Sequence, residues 1–135
     1  MLRKIGKVLA IILVIILCVL GLFWGRYQAM AKNVRHQYTN IKPLDMSQIP
    51  DGVYCGSFGD FLVFVKVEVK VAGHRIDQIK VLDQRSGPGY EALETVDKII
   101  KDQSPKVDAV TGASGSSMSI MIAVNRALTE ATYKK

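Results

Sequence analysis

The chain has 135 residues, 49% of them hydrophobic and 22% charged, with a formal net charge of +6. The excess lies at the start. Residues 1–35 carry Arg3, Lys4, Lys7, Arg26, Lys32 and Arg35 and no acid, leaving 12 basic and 12 acidic residues over 36–135. A nucleic-acid binder concentrates positive charge on its folded part, so nucleic acid is set aside as a partner, and the length implies one domain plus an appendage.

In chain order, residues 1–7 form a basic tail and 8–25 a transmembrane anchor. Val8 to Trp24 contains no charge and no proline. At about 1.5 Å per residue it spans roughly 26 Å, the short end of a membrane crossing. Trp24 and Tyr27 stand where an interfacial aromatic belt falls. Basic residues flank both ends, so charge alone leaves the orientation open. A cleaved signal peptide is the competing reading, since Ala29-Met30-Ala31 fits the Ala-x-Ala pattern. The long apolar run and Arg26 favour the uncleaved anchor. Cys18 lies in the span and Cys55 outside it, which excludes a disulfide framework. Cys55 reads as a small, half-buried strand residue.

Residues 26–48 read as a polar stalk that continues the helix and breaks near Pro43, and residues 49–135 as the folded domain. Asp51-Gly52-Val53-Tyr54-Cys55-Gly56 is a turn into a short strand. Within Phe61 to Val71, Val63, Val65, Val67, Val69 and Val71 alternate with Phe64, Lys66, Glu68 and Lys70, the period of a half-buried strand. Ala72-Gly73-His74-Arg75 is a tight turn, and Ile76, Ile79, Val81 and Leu82 supply the second strand of a hairpin. Leu93, Val96, Ile99 and Ile100 give helical spacing within Glu91 to Gln103, which Ser104-Pro105 ends. A last helix runs from about Ser116 to Ala131 on a stripe of Met118, Met121, Ile122, Val124, Leu128 and Ala131. The fold class is α+β: a small antiparallel sheet with two main helices, preceded by one N-terminal transmembrane helix.

The densest chemistry lies in Asp108-Ala109-Val110-Thr111-Gly112-Ala113-Ser114-Gly115-Ser116-Ser117. Gly and Ala let a backbone approach a ligand closely. The helix start that follows offers free N–H groups and the dipole end that favours phosphate. Hydroxyls of Thr111, Ser114 and Ser116 add hydrogen-bond donors. The plain alternative is a serine-rich loop capping a helix. A second candidate is Arg85-Ser86-Gly87-Pro88-Gly89-Tyr90, whose glycines permit contact with a ring, against a plain turn. His36 and His74 have no partners at metal spacing, and Glu91 and Glu94 read as solvated.

The run 108–116 resembles the flavin-attachment motif of the FMN-binding domain family, seen in subunits of sodium-pumping NADH:quinone reductase and Rnf-type complexes. That motif reads roughly Asp-Ala/Gly-x-Ser/Thr-Gly-Ala-Thr/Ser-x-Ser/Thr. Asp51-Gly52-Val53-Tyr54-Cys55-Gly56, Ile76, Gln103-Ser104 and Val107-Asp108 also stand in the family's order, so the resemblance spans about residues 50–130. It implies FMN as cofactor, with Asp108, Thr111, Gly112, Ala113, Ser114 and Ser116 around it and Gly89 near the ring. It further implies Ser116 as the hydroxyl that a flavin transferase joins to the FMN phosphate, although family acceptors are usually Thr. An extracytoplasmic domain on a cell-membrane anchor follows, acting as an electron relay within an oxidoreductase system, with membrane lipid and a membrane or extracytoplasmic redox partner as neighbours. The alternatives are a non-redox interaction module on the same fold that binds no flavin, and a flavin reductase acting on a soluble substrate.

Overall fold

The computed structural model describes residues 2–86 and 92–133. Its elements are α1 (Leu2–Thr39), a short 3-10 turn (Met46–Gln48), β1 (Gly52–Asp60), β2 (Val63–Ala72), β3 (Arg75–Arg85), α2 (Glu94–Asp102) and α3 (Ser114–Tyr133). The strands form one antiparallel sheet in the order β1-β2-β3. The α+β reading holds: two main helices and a small sheet follow an N-terminal helix long and apolar enough to cross a membrane.

Two tight turns fix the sheet register. Asp60 pairs with Val63, so Phe61 and Leu62 alone connect β1 to β2. Ala72 pairs with Arg75 across Gly73 and His74, whose φ values of 59° and 57° suit the twist of a two-residue hairpin. The Asp51 carboxylate accepts the backbone N–H of His74 at 3.1 Å. Hydrogen bonds from the Gly73 and His74 backbone hold this carboxyl below its ordinary pKa. Val65, Val67, Val69 and Val71 of β2 are buried, as the alternation requires. On β3 the strict period fails: the register shifts between Lys70 and Val71 and again between Lys66 and Val67. These bulges let Ile76 and Ile79, three apart, both face inward, and they turn Leu82 out to 49% exposure. Cys55 is exposed, not half-buried, because β1 turns Tyr54, Gly56 and Phe58 inward and odd-numbered neighbours outward.

The inner face of the sheet packs on α3. Six consecutive residues of α3, Ser119 to Val124, are buried, which a single covered face does not produce. The additional cover comes from α2 and α1. Beyond its apolar stretch α1 does more than connect: Met30 and Val34 are buried in the core, and Ile41 joins them after the helix ends. Their spacing, with Tyr38 half-buried, marks one face of a helix. The Arg126 guanidinium of α3 binds this arrangement together. It donates to the Ser57 carbonyl at 2.9 Å and to Gln37 Oε1 of α1 at 2.7 Å, and lies over the Phe58 ring. Gln103, left-handed at φ 52°, ends α2 and clamps it to β3 by bonding both backbone groups of Ile76.

Where α3 crosses β1 the backbones nearly touch. A Cβ on Gly56 would fall inside contact distance of the Ala123 carbonyl oxygen and 2.7 Å from the Ala127 nitrogen. Gly56→Ala therefore lowers stability by about 1–3 kcal/mol, as overpacking does. Thermal unfolding of the variant beside Gly52→Ala checks this, since Gly52 would meet only the far end of the Tyr54 side chain.

Candidate flavin site

Val107 to Ala113 leads into α3 without regular structure. Gly112 makes the turn, with φ +84°, and the Ala113 N–H donates to the Val110 carbonyl at 3.1 Å. The first bond into the helix is Ser117 N–H to the Ala113 carbonyl, at 2.9 Å. Ala113 is therefore the helix cap and has no capping side chain. Among the described residues the backbone N–H groups of Ser114, Gly115 and Ser116 have no backbone acceptor, as the first turn of a helix dictates.

The hydroxyls that look alike in sequence divide into two kinds. Ser117 is fully buried and structural: its Oγ accepts the Val110 N–H at 3.0 Å and donates to the Ala113 carbonyl at 2.9 Å, stapling loop to helix. Ser119 Oγ likewise donates to the Gly115 carbonyl. Ser116 is only 5% exposed, yet its hydroxyl makes no hydrogen bond among the described residues. It lines a cavity of about 540 Å³.

That cavity brings Gly112, Ala113, Ser114 and Ser116 together, with Gly115 between them. Ser86, from the second candidate segment, also lines it, and its other walls are residues the sequence did not mark as part of a site: Tyr27 and Met30 of α1, and Leu62 and Val63 at the β1–β2 turn. Thr111 and Asp108 are exposed and lie outside the lining, and the Asp108 carboxylate makes no hydrogen bond or ion pair among the described residues. No Asx turn forms there. Gly89, with Gly87, Pro88 and Tyr90, lies outside the described residues. Tyr27 and Met30 were visible in sequence, but as a membrane belt and part of an Ala-x-Ala pattern. The signal for them was the helical spacing with Val34, which carries α1 past the apolar run.

The cavity has two chemical ends. One is a helix N-terminus with open N–H groups, a free hydroxyl, and empty space where a Cβ on Gly112 or Gly115 would stand. This is the environment a phosphate monoester takes. The other end is apolar and aromatic, as a planar ring requires, and the volume is that of a small-molecule site. Site and fold are thus those of a candidate site for a phosphorylated small molecule. Residues 63–129 match the model of the FMN-binding domain family. The chain carries a domain of that family, with FMN as its cofactor. No curated protein matches the chain.

The two adjacent serines differ in structural role: one staples the loop and the other lines the cavity. Ser117→Ala strands the half-buried Val110 N–H and costs about 1–3 kcal/mol, whereas Ser116→Ala changes stability by less than about 0.5 kcal/mol. Thermal melts of the two variants, both without flavin, test the division. Equal losses would contradict it.

Proposed function

We propose that the protein is a membrane-anchored electron relay whose FMN is attached covalently through Ser116, with the domain on the extracytoplasmic side. The observation that carries the reading is the Ser116 hydroxyl: enclosed, unengaged, and beside three open N–H groups at the start of α3. FMN supplies the redox chemistry when bound, passing one or two electrons. The chain supplies everything else. The N–H groups of Ser114, Gly115 and Ser116 hold the phosphate, and the Ser116 Oγ is the attachment point for a flavin transferase. Tyr27, Met30, Leu62 and Val63 form the apolar wall that excludes water from the ring.

A carrier is favoured over a reductase by the lining. Among the described residues around the cavity, Tyr27 alone has a titratable side chain. A reductase acting on a soluble substrate needs a positioned proton donor. On this reading the electron donor is a membrane redox complex and the acceptor lies outside the membrane. A covalent bond suits that compartment, because a cofactor lost there is not replaced.

The test is the intact mass of the full chain, co-expressed with a flavin transferase and denatured before measurement. The expected gain is one FMN less one water, retained in Ser114→Ala and abolished in Ser116→Ala. A gain that survives Ser116→Ala moves the attachment elsewhere, and flavin released on denaturation with no mass gain contradicts the covalent link.

A further inference from the structure

The β1–β2 turn ends in two large apolar side chains, Phe61 at 41% and Leu62 at 46% exposure, in a domain whose other turn is Gly73-His74. A protein in water gains nothing from such a tip. Its position supplies a reason. The Phe61 ring packs edge-on against Phe23 with centroids 5.5 Å apart, and Phe23 belongs to the charge-free run of α1. Arg26, one helical turn further on, lies over the other ring of the pair, 5.4 Å from the Phe61 centroid. Two polar contacts hold the turn in place: the Asn33 amide donates to the Asp60 carboxylate, and the Leu62 N–H points to the Met30 Sδ at 3.4 Å.

From these contacts we infer that the Phe61-Leu62 tip is seated in the lipid interface of the membrane that α1 crosses, as a second, non-spanning membrane contact. The argument is one of continuity. No part of the apolar stretch of α1 is buried within the chain, so in a bilayer lipid covers it. Phe61 sits at the depth of Phe23 and shares that cover. Trp24 and Tyr27 mark the same level with the aromatic side chains that favour it. Arg26 and Lys32 stand just beyond, where basic side chains reach headgroup phosphates.

One consequence concerns the flavin cavity, whose wall includes Leu62, Tyr27 and Met30. Trp24 and Met30 are separated along α1 by about 9 Å at the helical rise of roughly 1.5 Å per residue. The cavity therefore opens within about one headgroup layer of the hydrocarbon. The inference rests on α1 spanning the bilayer and is independent of how the flavin is attached.

The test uses the full chain in phosphatidylcholine nanodiscs, with Cys18→Ala and Cys55→Ser replacing the native thiols. An environment-sensitive fluorophore is placed at Leu62→Cys, at Val14→Cys within the span, and at Gln78→Cys on the exposed side of β3. Nitroxide-bearing lipid is expected to quench the labels at 62 and 14 and to spare the label at 78. Leu62→Trp in a Trp24→Phe background, quenched by brominated lipid, reads the same depth without a dye. A label at 62 that behaves like that at 78 overturns the inference while leaving the span intact. Loss of quenching at 14 as well contradicts the span and the inference with it. A blue-shifted but unquenched label at 62 places protein there, a second copy included, and also overturns it.

Discussion

Everything in this molecule depends on α1 being one uninterrupted helix from Leu2 to Thr39. Its first part is apolar on every side and exposed, and its second part is apolar on one face and buried. A helix cannot bend sharply without a proline, a glycine–serine pair or an inserted group. Gly25 alone stands at the junction, with nothing within 4 Å of its Cβ position. The domain therefore continues from the apolar segment along a single helix. Met30 and Val34 bury against α3, and the anchor becomes a wall of the core rather than a tether.

The same constraint shapes the site. The start of α3 supplies the polar half of the cavity by backbone geometry alone, because the first turn of any helix leaves its N–H groups open. Ser117 fixes the loop so that this turn faces inward, and Gly112 provides the backbone conformation that the loop needs. The apolar half comes from α1 and the β1–β2 turn. Neither half is complete without the other, and Arg126 bridges the elements that carry them. An FMN held here would be in contact with the helix whose apolar stretch is long enough to cross a membrane.

Much of this was legible in sequence. The valine alternation of β2 names its buried face directly, because a regular strand has a period of two. The small-residue run before α3 marked the polar end of the cavity. Other features depended on tertiary context. The two bulges of β3 break its period, so Leu82 looked like a core residue and is not. Ser116 and Ser117 are chemically identical, and only the direction each takes from the first turn of α3 separates cavity lining from staple. The wall from Tyr27 and Met30 was hidden because their neighbours in sequence belong to a membrane span. Only the spacing of Met30, Val34 and Tyr38, read as a helix face, would have brought α1 into the domain.

An experimental structure of the flavin-loaded full chain in a lipid nanodisc tests the central claim most directly. The account predicts the FMN phosphate on the N–H groups of Ser114, Gly115 and Ser116, with the ring between Leu62 and the Tyr27–Met30 face of α1. A flavin seated elsewhere, such as the groove between β3 and α2 lined by Ile79, Val81 and Leu93, would contradict it. So would a loaded structure in which α1 has left the domain.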